Sequence, residues 1–130
     1  MSQAKNRASP KEPAVSDLQI LDCDTALLNF DGRVDIYDSL IPTFFEEKNE
    51  LLPQITEAIN TGDAAKLQRL AHTLKSSVAT FGGMRAKQAA FRLESVGREC
   101  NLAVAEKAHV ALLEELKHFE SALRDRQNNQ

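Results

Sequence analysis

Apolar residues recur along most of this chain at intervals of three and four, the period of a helix buried along one side. Between Arg33 and Asn60 the residues Ile36, Tyr37, Leu40, Ile41, Phe44, Leu51, Leu52, Ile55 and Ile59 gather on one side at about 100° per residue. That spacing predicts one long amphipathic helix, although Pro42 and Pro53 fall inside it. An interior proline removes a backbone hydrogen bond. The two prolines are eleven residues apart, roughly three helical turns, so they share a face, the one opposite the apolar stripe. Water can replace the lost bonds there, and the expectation is a single helix bent at each proline.

The same reading predicts a short helix from Asp22 to Phe30, started by Asp22 or Asp24, ended by Asp31-Gly32 and placed as a lid on one end of the molecule. After the turn Thr61-Gly62-Asp63, the residues Leu67, Leu70, Ala71, Leu74, Val78 and Phe81 mark a helix capped by Asp63. Gly82-Gly83 ends it, and the connection is short enough to force an antiparallel neighbour. That neighbour runs from Met84 to about Glu99. Its small residues Ala86, Ala89, Ala90 and Gly97, with Leu93 and Val96, form a face that lets two helix axes approach closely. A last helix follows Asn101 to about Arg126, with Val104, Ala108, Leu112, Leu116, Phe119 and Leu123 as its inner stripe. No alternating pattern suggests a strand, and no internal repeat occurs. The predicted fold is all-α, an up-and-down four-helix bundle with a short additional N-terminal helix. Residues 1–16, polar and with two prolines, are expected to be a disordered tail or linker; 17–126 form one domain and 127–130 a disordered C-terminus.

Composition narrows the function. The chain has 130 residues, 42% of them hydrophobic, and 16 Lys+Arg against 19 Asp+Glu. There is no broad basic field to hold nucleic acid or an anionic membrane. Its longest apolar runs fall far short of the ~20 residues that cross a bilayer. Cys23 and Cys100 are far apart and match no zinc-ligand spacing, and no secretory signal pattern opens the chain. A cytoplasmic monomer is expected.

One histidine stands out by position. Measured from Leu67 at the centre of the buried stripe, His72 lies roughly 140° around its helix, so its ring should be exposed. Ala65, Gln68, Ser76 and Ala79 share its side and Lys75 flanks it one turn away, leaving the imidazole open to a second protein. A neutral imidazole can attack a phosphoryl group with one nitrogen while the other donates a hydrogen bond. A nearby ammonium offsets the charge that phosphorylation adds. Glu94, at the border of the apolar face of the next helix, is the natural acceptor to orient the ring. His109 and His118 lack any companion suited to a metal and read as ordinary helix residues. Gly82-Gly83 matches neither a GxxxxGK[ST] nor a GxGxxG phosphate-binding loop, so no means of binding ATP is visible.

The run Ala71-His72-Thr73-Leu74-Lys75-Ser76-Ser77-Val78-Ala79-Thr80-Phe81-Gly82-Gly83 resembles the signature of the histidine phosphotransfer (HPt) family, AHxLKG followed by small residues and LGA. The likeness extends from about Leu21 through Cys100, taking in Ala26 to Gly32, Thr61-Gly62-Asp63 and Arg92-Leu93-Glu94. Ser76 departs from the usual Gly and Gly83 from the usual Ala, and the last helix is similar only in being amphipathic. The sequence looks like standalone phosphorelay phosphotransferases and like the C-terminal modules of hybrid sensor kinases. The resemblance implies that His72 is the phosphoacceptor, Lys75 the charge-stabilising residue and Glu94 the partner of the imidazole. It further implies a role as phosphorelay intermediate, taking phosphate from an aspartyl phosphate of one response-regulator receiver domain and passing it to the Asp of another, with a hybrid sensor kinase in the system. No cofactor is implied on this chain, and the Mg²⁺ such transfers use would sit on the receiver. Two alternatives are a non-catalytic helical adaptor docking on receivers or kinases, and a structural bundle in which the histidine is incidental.

Overall fold

The structure, a computed structural model, describes residues 18–128; the tail expected over 1–16 lies outside the described residues, as do the last two. Among the described residues the helices are α1 (Cys23–Leu28), α2 (Val34–Thr61), α3 (Ala64–Thr80), α4 (Met84–Arg98) and α5 (Ala105–Asn128), with a 3-10 turn at Leu102–Val104 before the last. Helices α2 to α5 form the bundle, each packed on the next, and α5 closes against α2. The all-α four-helix bundle with its short N-terminal helix is therefore the observed fold. No helix among the described residues is long and apolar enough to cross a membrane.

Helix α2 runs through both prolines, and Pro42 and Pro53 are exposed, on the side where water can meet the freed carbonyls. Its buried seam is Tyr37, Ile41, Phe44, Lys48, Leu51, Ile55 and Ala58. This is narrower than the stripe expected from sequence, because steps of four and three keep one line of residues inward. Ile36 and Leu40, each one position before a seam residue, are rotated ~100° out of it and are exposed. Lys48 occupies the seam instead, its ammonium 2.6 Å from Glu120 on α5. Val104 is exposed as well, since α5 begins only at Ala105 and the preceding turn sets its direction. The rest of the expected α5 stripe is buried, and the helix continues two residues beyond Arg126.

Helix α1 lids the bundle end as expected. Asp22 caps it by accepting from the Thr25 amide, its own amide donates to Gly82 O at 2.8 Å, and Ala26 is fully buried. Gly82 has φ +92°, and a Cβ on it would lie 2.6 Å from Asp22 O, so the lid seats on a bare backbone. Beneath it the Tyr37 hydroxyl donates to Phe81 O at 2.8 Å, and Phe30, Tyr37, Phe44, Phe81 and Phe119 form a linked aromatic cluster.

The closest helix contact is between α3 and α4. All six small or apolar residues expected on the α4 face are buried. A Cβ on Gly97 would lie 2.7 Å from Gln68 N and 2.9 Å from Ala64 O, both backbone atoms that cannot rotate aside. Gly97→Val should therefore push α3 and α4 apart and cost about 1–3 kcal/mol. For a domain of this size that lowers the Tm by several degrees, which thermal unfolding followed by circular dichroism measures; an unchanged Tm would mean the helices do not meet at Gly97.

Candidate functional site

Helix α3 starts at Asp63, whose carboxylate accepts from the Lys66 amide at 3.1 Å. From that start the buried positions Leu67, Ala71, Leu74 and Val78 follow, and His72, one residue past Ala71, turns outward. Its side chain is 58% exposed. On the antiparallel α4, contacts with α3 climb in register. Gly97 meets Gln68, Glu94 meets His72 one turn up, and Phe91 meets Lys75 at the next. The close approach at Gly97 is thus what brings the Glu94 carboxylate within reach of the imidazole.

Glu94 is the buried centre of this group, with 9% of its side chain exposed. Its Oε2 lies 3.0 Å from His72 Nδ1, and Oε1 is met by Lys75 Nζ at 2.7 Å. The acceptor role fixes a tautomer: a carboxylate can only accept, so Nδ1 carries the hydrogen and Nε2 keeps the free lone pair. Burial pushes the Glu94 carboxyl up, but hydrogen bonds from Lys75 and then His72, reinforced by their charges, outweigh it and hold the group below its ordinary value. The acid is therefore a carboxylate at neutral pH despite its burial.

Lys75, expected on the flank of His72, is 21% exposed and directed to α4, where it also lies 5.2 Å from the centre of the Phe91 ring. A shallow depression beside the imidazole is lined by Gln68, Arg69, His72, Thr73 and Glu94. Of the residues expected to admit a partner, Ala65 and Ser76 are exposed while Gln68 and Ala79 are half-buried. Sequence reasoning passed over Arg69, Thr73 and Phe91. Arg69 precedes His72 by three residues, a spacing that puts it on the same face. Ser77, beside Ser76, donates to Glu47 of α2 and marks where the open strip meets that helix.

The other histidines differ from each other. His118 is exposed and lies 3.3 Å from Glu114 on its own helix. His109 is buried rather than a surface residue, and its Nε2 has no hydrogen-bond partner among the described residues. Both cysteines are free, and among the described residues no cluster of three His, Cys, Asp or Glu could hold a metal ion.

A family model, the Hpt domain, matches residues 39–125. The chain belongs to the Hpt domain family. Histidine phosphotransfer within a phosphorelay, in company with receiver domains, is accordingly its role. The Hpt match takes in most of α5, the part whose sequence resembles the family only in being amphipathic. Among solved structures, the chain is similar to histidine-containing phosphotransfer protein B (HptB) from Pseudomonas aeruginosa PAO1, with 22% sequence identity, a TM-score of 0.78, and coverage of 85% of this chain and 96% of that one. At that identity the likeness speaks for the Hpt fold. Comparison with curated proteins finds no match.

The lowered Glu94 value makes stability depend on pH with a defined sign. The folded carboxyl binds its proton less tightly than the unfolded one, at the ordinary 4.5. Its contribution is complete above that pH and is lost as the pH falls through the lowered folded value. Glu94→Gln should thus cost about 1.5–3 kcal/mol at pH 7, as charged hydrogen bonds do, and progressively less below pH 4.5. Urea unfolding of both proteins at pH 7 and pH 3 measures it; a gap that stays constant would show that Glu94 is not ionised in the fold.

Proposed function

We propose that His72 is the phosphoacceptor of this Hpt domain, receiving a phosphoryl group at Nε2 from an aspartyl phosphate of one receiver domain and returning it to the Asp of another. The observation that carries the reading is Glu94, which bonds His72 Nδ1 at 3.0 Å and Lys75 Nζ at 2.7 Å beneath a ring that is more than half exposed. With the proton held on Nδ1, the Nε2 lone pair attacks phosphorus. The new N–P bond forms as the P–O bond to the aspartyl oxygen breaks, and the receiver's carboxylate leaves with the electron pair. The ring keeps its Nδ1 proton and becomes positively charged. Glu94 then stabilises the cation that the reaction creates, a preorganised charge that needs no movement at the moment of transfer. The reverse step follows the same path. Lys75 holds the carboxylate in place through its ion pair with Oε1. Mg²⁺ belongs to the receiver in this reading, and a hybrid sensor kinase is the source of phosphate. The chain acts as a cytoplasmic monomer that binds no nucleic acid.

Incubation with a phosphorylated receiver, followed by acid and base stability of the label, tests the assignment. His72→Gln should fold, its amide able to replace the imidazole N–H as donor to Glu94 at a cost of about 1 kcal/mol, and take up no acid-labile phosphate. Label retained by the variant would place the chemistry elsewhere, and a wild-type chain that binds receivers unlabelled would be an adaptor.

Docking is the second test. Ser76 is exposed one turn beyond His72, and a partner backbone must pass over it. Ser76→Arg should leave the circular dichroism spectrum and labelling by phosphoramidate, a small donor, unchanged while abolishing transfer from a phospho-receiver. Receiver transfer at the wild-type rate would move the docking surface to another side of His72.

A further inference from the structure

The charges around His72 divide unevenly. Lys75 is the cation expected to meet the phosphoryl group, yet its ammonium is 2.7 Å from Glu94 Oε1 and lies over the Phe91 ring. A buried carboxylate has no better partner available, and moving the lysine to a phosphate would strip Glu94 of its counter-ion while the ring beside it gains charge. Arg69 has no such commitment. Its side chain makes no ion pair or hydrogen bond among the described residues, it is exposed, and it lines the depression that also contains His72, Gln68, Thr73 and Glu94. Lys75 does not line that depression.

Helix geometry adds direction. Side chains on a helix tilt toward its N-terminus and cover the turn before their own. The ring of His72 therefore leans over Gln68 and Arg69, away from the C-terminal turn that carries Ser76. Its Nδ1 is held to α4 by Glu94, which leaves Nε2 of the exposed ring without a partner among the described residues, and that ring lines the depression together with Arg69. A guanidinium suits what would arrive there, since its planar fork matches two phosphoryl oxygens and it stays charged at every working pH.

We propose that Arg69 is the residue that contacts the phosphoryl group on His72 directly, and that Lys75 acts on it only through Glu94. This rests on His72 being the phosphoacceptor. The depression is then a half-built phosphate site in the resting protein, completed when the group is attached and Arg69 closes two hydrogen bonds to its oxygens.

The experiment uses the full chain with phosphoramidate as donor, so that no docking step intervenes. Wild type, Arg69→Ala, Arg69→Lys, Lys75→Ala and His72→Gln are compared by labelling rate and by the pH titration of the phosphohistidine ³¹P signal. Arg69→Ala should slow labelling about tenfold, the effect of one charge-assisted contact. It should also raise the titration midpoint by up to about one pH unit, because a cation touching the phosphoryl oxygens disfavours their protonation. Arg69→Lys should restore part of both. Lys75→Ala should slow labelling with a smaller displacement of the midpoint. If Arg69→Ala titrates and labels as wild type does, or if Lys75→Ala moves the midpoint more, the inference fails while His72 stands. If His72→Gln is labelled as fast as wild type, the reading beneath it fails.

Discussion

A carboxylate removed from water must be given back its hydrogen bonds by the protein, and the placement of Glu94 depends on that requirement. One oxygen takes the imidazole of His72 and the other takes the ammonium of Lys75. Neither bond is optional, because losing a partner leaves buried charge uncompensated at several times the value of the bond itself. The geometry of the histidine is therefore enforced by the needs of the acid beneath it. An exposed ring would otherwise sample several rotamers. Here Glu94 selects one orientation and one tautomer, and does so from a rigid helix rather than a loop.

That arrangement demands that α3 and α4 stand close. Ala86, Ala89, Ala90 and Gly97 provide a surface without bulk, and the contact at Gly97 touches backbone on α3. Small residues contribute little hydrophobic burial of their own, so the aromatic cluster at the other end of the bundle carries much of the core, with α1 seated over it through Gly82. The molecule thus separates two tasks along its length. Bulk and the lid hold one end, while close backbone packing aligns the pair of helices that present His72.

Much of this was readable in the sequence because helical periodicity and capping are local. The turn at Thr61-Gly62-Asp63, the Asp22 cap, the small face of α4 and the pairing of Glu94 with His72 all follow from spacing along one or two adjacent helices. What stayed hidden depends on elements far apart in the chain. Lys48 is buried because Glu120 faces it across the bundle, seventy-two positions away by subtraction of their numbers. Arg126 likewise meets Asp38, at 3.1 Å, and covers the Tyr37 ring. Ile36 and Leu40 carry the right chemistry for a core, yet the seam that packing selects is one residue wide. The turn of Lys75 toward α4 was equally invisible, since a lysine four carbons long can reach several partners and only the buried carboxylate decides among them.

A relay protein has a constraint that an ordinary enzyme lacks, which is that its loaded state must be neither too stable nor too costly. A deep cage of cations would trap the phosphoryl group, and each extra charge-assisted bond would slow its departure by about tenfold or more. The site built on α3 is open and shallow, with a single buried anion below the ring and its balancing lysine held on that anion. On the proposed reading, the favourable interaction in the loaded state is chiefly between Glu94 and the charged ring. It stabilises the nitrogen side of the N–P bond, and Arg69 at the rim of the depression is the side chain left to meet the phosphoryl oxygens. Such a site suits passage in either direction, because the group that must leave is held at its edge, and the receiver can supply its own charges to the oxygens that remain exposed.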